Sequence, residues 1–333
     1  AEKKEEVPVA ALIVDKNGKI WTCGYNNNGE VGNGTRDFCY TPICISDIKG
    51  TDLYNEYVKD SNFRIVKICK YTSSIYALDS NGKIWSWGNN LYGQLGNGTN
   101  TSCSTPICIS NIADTELNSK YEDKNFKITN IYVNYYRLYA VDNLGKVWCC
   151  GYNGYGGIGI GEKGNKNSLI CVSNIDGNDM YNLGSDFDIV EVYGYAGHSL
   201  ILGNNKKLYV SNPYTNYKYK CIAENVNSEL KMICSLASRN YIYGNNEGVN
   251  FIIGEGEPKQ ILQGKVIEEY KSTQLGIMYK DSEGNYWIDD SGEFKKPLFI
   301  EDKVISTSMI IDVDGKLWVK GSNSYGQLGT GST

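Results

Sequence analysis

The residues of this sequence that could do chemistry include two motifs with known ligands. Residues 154–159 follow the pattern G-x-G-x-x-G, which presents backbone N–H groups to the pyrophosphate of a dinucleotide when a helix opens directly after it. Here the stretch is one copy of a recurring glycine-rich loop. Turns of the form D-x-[DN]-G at Asp15, Asp79 and Asp312 resemble calcium loops, but an EF-hand needs alternating ligands over about twelve residues. We therefore predict no cofactor and no metal site.

Side chains suited to catalysis are scarce. His198 is the only histidine, so no second imidazole can assist it, and we expect it to make a structural hydrogen bond. The eleven cysteines form no C-x-x-C pair, which indicates neither zinc nor a redox site, and most thiols are expected to be small buried apolar groups. Carboxylates recur in turns at regular spacing, which is typical of solvated hairpin ends. The sequence predicts no catalytic residue and no enzyme.

Composition excludes two further classes of partner. A net charge of −5 disfavours binding to nucleic acid, because that binding depends on clustered Lys and Arg. The longest apolar run, residues 9–14, is far shorter than the roughly 18 residues that a membrane helix needs. We expect a soluble folded protein that inserts into no membrane.

The strands and loops that must position any site recur along the sequence as one repeated pattern. GNNLYGQLGNGT at residues 88–99 has copies at residues 24–35, 151–162 and 321–332, each after an apolar run, a D-x-x-G turn and a Trp strand. Such paired runs predict β-hairpins. Seven hairpin turns are expected near residues 18, 82, 145, 206, 248, 284 and 315. With one strand before and one after each hairpin, the pattern predicts an all-β fold. We predict a single domain over residues 1–333, a seven-bladed β-propeller of four-stranded antiparallel blades, with essentially no helix beyond turns.

The loop GNNLYGQLGNGT, the preceding KIWSWG and the segment AGHSLIL at residues 196–202 resemble the repeat of the regulator of chromosome condensation family, in a bacterial branch. The resemblance implies a seven-bladed propeller and two functional precedents. One is guanine-nucleotide exchange on a small GTPase, which in the family uses an inserted wedge and a basic tail that we do not find here. The other is a secreted propeller that inhibits β-lactamases.

The loops themselves have a structural explanation. Glycine supplies positive φ angles and close backbone approach, while Asn and Gln side chains can satisfy loop backbone groups. The Trp residues that follow the hairpin turns are expected to pack between blades.

Tyrosine is unusually frequent, with 27 Tyr against 7 Phe. Tyr is favoured where one end of a side chain is buried and the other is wet, as on binding surfaces. In a four-stranded blade, the first–second and third–fourth loops emerge at the same end. The partner-binding residues predicted there are Tyr71, Tyr92, Tyr135, Tyr136, Arg137, Tyr155, Tyr195, Arg239, Tyr241, Tyr270, Lys271 and Tyr325. The alternative is the ordinary enrichment of Tyr in β proteins.

The opposite end offers a second candidate site. Long insertions there place Leu53, Leu117 and Met180 beside Tyr54, Asn118 and Tyr181, on links acidic enough to stay solvated.

We expect a non-enzymatic, monomeric propeller that binds protein. Its expected role is that of a secreted inhibitor, or of an adaptor that holds a folded partner. A carbohydrate-binding surface protein and an exchange factor for a small GTPase are the alternatives. The start AEKKEEVPVA, without Met or an apolar signal core, is compatible with a mature end left by signal cleavage. This favours a secreted or cell-surface location, with the cytoplasm as the alternative.

Overall fold

The computed structural model describes residues 10–235, 241–254, 256–273, 276–290, 293–295, 299–306, 309–312 and 317–319. The chain separates into two compact units, one ending at Asn225 and the other beginning at Val226. The single domain predicted for residues 1–333 remains a prediction.

The first unit contains four antiparallel sheets whose strands are hydrogen-bonded in chain order. The first sheet consists of β1 (Ala10–Val14), β2 (Ile20–Gly24) and β3 (Cys39–Cys44). The second consists of β4 (Ile65–Tyr71), β5 (Ser74–Asp79), β6 (Ile84–Gly88) and β7 (Cys103–Cys108). The third consists of β8 (Ile128–Asn134), β9 (Arg137–Asp142), β10 (Val147–Gly151) and β11 (Lys166–Cys171). The fourth consists of β12 (Ile189–Tyr195), β13 (His198–Gly203), β14 (Leu208–Ser211) and β15 (Lys220–Ala223).

The second unit has the same up-and-down order in three sheets. The first of them consists of β16 (Lys231–Ser235), β17 (Tyr241–Gly244), β18 (Asn250–Ile253) and β19 (Lys259–Ile261). The next consists of β20 (Ile267–Thr273), β21 (Gly276–Asp281), β22 (Tyr286–Asp290) and β23 (Glu293–Lys295). The last consists, in its described residues, of β24 (Phe299–Ser306), β25 (Met309–Asp312) and β26 (Leu317–Val319).

In the described residues, these antiparallel sheets, five with four strands and two with three, confirm the predicted all-β propeller class. The predicted turns near residues 18, 82, 145, 206, 248 and 284 join consecutive strands, and the turn near 315 lies outside the described residues. The blade count of seven remains a prediction.

The insertions contain more helix than predicted. A two-turn helix, α1 (Asp52–Lys59), and a shorter one, α2 (Glu116–Lys120), follow 3-10 turns at Ile45–Asp47 and Ile109–Asn111, and a third such turn spans Val172–Asn174. The Thr51 side chain caps α1 by accepting a hydrogen bond from the Tyr54 amide. None of the helices in the described part of the chain is long and apolar enough to span a bilayer.

The same insertions are anchored in the core. Leu53, Leu117 and Met180 are buried, with at most 1% of each exposed, so they cannot contribute to the second candidate surface that the sequence suggested. The physical reason is that each insertion inserts one apolar side chain between sheets, which removes that side chain from water. Tyr181 beside them remains 52% exposed.

The core of the first unit lies between neighbouring sheets. Trp85 packs between the first and second sheets and Trp148 between the second and third, as predicted for the Trp series. Their indole N–H groups donate to Asp79 Oδ2 at 2.8 Å and Asp142 Oδ2 at 2.9 Å. Both carboxylates are only 2% exposed. The expectation that these turn carboxylates are solvated is therefore wrong for Asp79 and Asp142, because the indoles that they bind lie in the core.

Candidate functional site

The recurring glycine-rich loop is organised by one buried Asn. The Asn90 Oδ1 accepts a hydrogen bond from the Leu95 amide at 2.9 Å, and its Nδ2 donates to the carbonyls of Thr99 at 2.9 Å and Thr101 at 3.1 Å. Asn26 and Asn153 occupy the same place in their loops and accept from the following aliphatic residue in the same way. The prediction that side-chain amides satisfy loop backbone groups is confirmed, and these loops are therefore rigid supports.

The third loop also packs tightly against the turn between β8 and β9, the first and second strands of the same sheet. Gly151 begins the third loop with φ +104°, and a Cβ atom there would lie 2.1 Å from the Tyr136 carbonyl oxygen. The same carbonyl accepts a hydrogen bond from the Tyr152 amide at 3.0 Å. Only glycine permits this approach. The turn and the loop thus form one platform.

The turn on that platform holds two tyrosines in an unfavourable backbone conformation. Tyr135 and Tyr136 are the two residues between β8 and β9, with φ of +41° and +55°. Two-residue hairpins that need positive φ at both positions normally use Asn and Gly. A bulky residue there is a genuine outlier, and such outliers concentrate at functional sites.

Seven tyrosines from the loops of the first unit form one connected group, which we call the tyrosine cluster. Its members are Tyr71, Tyr92, Tyr135, Tyr136, Tyr152, Tyr155 and Tyr195. Ring centroids lie 4.5 Å apart for Tyr135 and Tyr195, and 5.1 Å apart for Tyr92 and Tyr136. Six of the rings are half-buried and Tyr195 is exposed. The structure therefore brings six of the predicted residues together at one end of the first unit.

Arg137 was predicted to contact the partner, but the structure places it in the interior. Its guanidinium is 1% exposed, so it cannot make the direct partner contact that the sequence suggested. It instead donates from Nε to the Tyr152 carbonyl at 2.7 Å and from Nη1 and Nη2 to the carbonyls of Tyr195 and Ala196. The cause is the neighbouring sheet, whose β12–β13 turn covers Arg137 and presents carbonyl oxygens to it. Arg137 therefore positions the loops that carry the cluster.

The remaining predicted residues lie in the second unit. Tyr241 is only 6% exposed and is therefore an interior residue, since all four residues of β17 are buried. Tyr270 and Lys271 lie in β20, paired in register with Tyr279 and Met278. Arg239 and Tyr325 are outside the described residues.

Sequence reasoning missed Tyr152. Its ring lies 5.1 Å from that of Tyr92 and 5.6 Å from that of Tyr135, which makes it a central member of the cluster. The available signal was its position directly after the glycine that opens the loop GYNGYGG.

The protonation states of the cluster and its support are set by burial. Burial raises the pKa of Tyr135 to about 12 and raises that of Tyr71, so both hydroxyls remain protonated donors at neutral pH. His198 below them is buried, and burial lowers its pKa to about 3, so the imidazole is neutral. In the described ranges, no three His, Cys, Asp or Glu side chains converge as a metal site requires.

Charge is distributed unevenly between the two ends of the first unit. The loop at residues 89–102, which carries Tyr92, contains no charged residue, and the loop at 152–165 contains only Glu162 and Lys163. By contrast, each of the links at residues 45–64, 109–127 and 172–188 contains four carboxylates. The loops that carry Tyr92, Tyr152 and Tyr155 therefore contain few charges.

Comparison with known proteins agrees with this architecture. The family model of the regulator of chromosome condensation (RCC1) repeat matches residues 17–68 and 81–120. These parts of the chain are RCC1-like repeats. This confirms the resemblance found in the sequence, whereas a bacterial branch and a likeness to β-lactamase inhibitors remain predictions.

Relatives of the RCC1-like chain differ widely in length. The human E3 ubiquitin-protein ligase HERC2 is 27% identical over 107 residues, covering 32% of this chain and 2% of HERC2. An RCC1 repeat-containing protein of Schizosaccharomyces pombe is 25% identical over 230 residues, covering 68% of this chain and 59% of its own length. The crystal structure of human WBSCR16 has a TM-score of 0.51 and 14% identity, covering 84% of this chain and 73% of that one. The structural likeness concerns the fold.

Proposed function

We propose that this RCC1-like protein is a non-enzymatic binding module that holds a folded protein partner on its tyrosine cluster. The observation that carries the proposal is the cluster itself, in which seven half-buried or exposed rings from neighbouring sheets form one surface. Tyr supplies a large contact area with few rotatable bonds, so little conformational entropy is lost when a partner binds.

The composition of the supporting loops favours a protein partner. Antibody loops that recognise folded proteins are enriched in Tyr, Ser, Gly and Asn. The loops at residues 89–102 and 152–165 have this composition and few charges. The buried Asn of each loop, Asn90 or Asn153, which we call its Asn hub, holds the loop in one conformation before binding. This reduces the conformational entropy that is lost on association.

The strained turn supports a role for its two rings. Each non-glycine residue held in a sparsely populated backbone region costs on the order of 1–3 kcal/mol. The equivalent turn of the second sheet holds Thr72 at φ +49°, so the fold itself does not require aromatic residues there. We infer that Tyr135 and Tyr136 are kept for what their side chains contact.

The finer role that we propose is a secreted or cell-surface inhibitor or adaptor that acts as a monomer. It is supported by the net charge of −5 and by the resemblance of the repeats. The ligase activity in the name of HERC2 belongs to that protein, and guanine-nucleotide exchange is the alternative for this one.

The test compares capture of proteins from cells of the source organism by the wild-type chain and by variants. Tyr136→Asn removes a ring while placing at φ +55° a residue that tolerates that conformation, and Tyr92→Ala removes a second ring. Removing a central aromatic anchor typically weakens binding by about thirtyfold. We expect both variants to lose the partner and to keep the thermal midpoint of the wild type.

Tyr181→Ala, at the opposite end and 52% exposed, is the matched control and should retain the partner. Capture that survives both cluster variants would contradict the proposal. Glycan-array binding that the cluster variants abolish, in the absence of a captured protein, would favour the carbohydrate alternative.

A further inference from the structure

A buried positive charge lies beneath the tyrosine cluster. Arg137 is 1% exposed, and the acceptors that it contacts are the carbonyl oxygens of Tyr152, Tyr195, Ala196 and His198. No carboxylate in the described part of the chain forms an ion pair with it. Burying a charge is unfavourable unless it is paired, and here only neutral dipoles offset the positive charge.

Two rings of the cluster lie within cation–π distance of this charge. The Arg137 Cζ lies 5.7 Å from the Tyr135 ring centroid and 5.8 Å from that of Tyr152. Burial raises the pKa of Tyr135 to about 12, and the Arg137 charge opposes that rise by favouring negative charge at the hydroxyl. The Arg137 cation is therefore close enough to these two rings to attract an anion bound on the cluster.

Hydrogen-bond donors are carried by the rings of the same cluster. Within the described residues, the hydroxyls of Tyr71, Tyr92, Tyr135 and Tyr136 donate to no protein acceptor. Their rings contact one another, with centroids 5.1 Å apart for Tyr71 and Tyr136 and 5.5 Å apart for Tyr135 and Tyr136. A carboxylate has two oxygens and about four lone pairs, so it can accept from several such donors at once.

We infer that the partner presents an acidic side chain to the tyrosine cluster, where the hydroxyls of Tyr71, Tyr92, Tyr135 and Tyr136 bind its carboxylate above the Arg137 cation. This inference rests on the proposed function and adds the chemistry of the docking element. The neighbouring loops support it, because the loop at residues 89–102 contains no carboxylate that would repel an acidic segment.

The probes for the experiment are three capped hexapeptides, of Glu, Gln and Lys, titrated at low salt into protein with isotope-labelled Tyr rings. We expect the Glu peptide to shift the ring signals of the four tyrosines and to bind at least about threefold more tightly than the Gln peptide. Added salt should remove this difference. The net charge of −5 makes the test stringent, because non-specific electrostatics would favour the Lys peptide.

The variant for the same titration is the double substitution Tyr92→Phe and Tyr136→Phe, which removes two hydroxyls and keeps both rings. It should lower the affinity for the Glu peptide to that for the Gln peptide. Tyr40→Phe, at a residue that is 88% exposed outside the cluster, is the control and should change nothing. Equal affinities of the wild type for Glu and Gln peptides, or unchanged Glu affinity in the double variant, would overturn the inference.

The two proposals can fail separately. If Tyr136→Asn and Tyr92→Ala lose the captured partner while the Glu peptide is not preferred, the acidic docking element is wrong and the binding surface stands. If capture survives those substitutions, the proposed function itself is wrong.

Discussion

Replacing Asn90 by Asp should unfold the glycine-rich loop of the second sheet with almost no change in side-chain shape. Asn90 is fully buried, and its Nδ2 donates to the Asn97 Oδ1 and to the carbonyls of Thr99 and Thr101, at 2.9, 2.9 and 3.1 Å. In Asn90→Asp an oxygen replaces the nitrogen. The Asn97 Oδ1 and the two carbonyl oxygens would then face a carboxylate oxygen of the introduced Asp, with no hydrogen atom between them.

The expected loss follows from this geometry. Each neutral hydrogen bond contributes about 1 kcal/mol, and a buried acceptor left without a donor costs about 1–3 kcal/mol. With at least two such bonds lost, we expect the free energy of unfolding to fall by about 4 kcal/mol at pH 7. That is a large part of the stability of a typical domain, about 5–15 kcal/mol.

The loss should depend on pH with a definite sign. Burial without a cation raises the pKa of the introduced carboxyl above the value of about 3.9 in an unfolded chain. The folded variant then binds a proton more readily than the unfolded one, so its deficit relative to the wild type should shrink as the pH falls from 7 to 4.

Urea unfolding followed by the emission of Trp85 and Trp87, which lie in the same sheet, measures both effects. Asn100→Asp is the matched control, because Asn100 is exposed in the same loop and the charge change is identical. A loss below about 1 kcal/mol for Asn90→Asp, or equal losses in the two variants, would refute the proposed role of the Asn hub.

Two other predictions concern buried ionisable groups. Because burial lowers the pKa of His198 to about 3, its ring signal should not titrate between pH 8 and 5, and titration near pH 6.5 would contradict its burial. Below pH 6.5 the unfolded imidazole binds a proton and the folded one does not, so the free energy of unfolding of the wild type should fall by about 1.4 kcal/mol per pH unit. His198→Gln should remove this pH dependence. Asp142→Asn should cost about 2 kcal/mol in urea unfolding, because an amide N–H would face the Trp148 indole N–H. Asp15→Asn, in the same geometry but beside a Trp21 that is 36% exposed, should cost less, and equal losses would refute the role of burial.

The fold was predictable because the repeats supply the same evidence several times. Each D-x-x-G turn with its following Trp indicates a hairpin, and a succession of such hairpins indicates sheets of one kind. The helix α1 was not predictable in this way, since the helix itself contains only one buried residue, Leu53, and no longer apolar period.

The candidate site was predictable only in part. Strand connectivity places Tyr71, Tyr136 and Tyr195 at the same end of consecutive sheets, and the structure has them there. The burial of Arg137 could not be inferred, because it depends on the carbonyl oxygens of the next sheet. The sequence pattern of a strand start does not distinguish an Arg that faces solvent from one that binds a neighbouring turn.

Some residues of the repeat hold the loops in place and others form the surface, which explains how a structural repeat can also carry a binding site. Asn90, Asn153 and Gly151 make contacts that are internal to the platform, so their identity is fixed by backbone geometry. The aromatic rings of Tyr92 and Tyr136 are not required by the backbone in this way, because Asn28 and Ser73 occupy the equivalent positions of the first and second sheets. Recognition can therefore change at the loop tips while the hydrogen bonds beneath them stay the same. It follows that substitutions at Tyr92 and Tyr136 should alter partner choice far more than stability, whereas those at the Asn hubs should do the reverse.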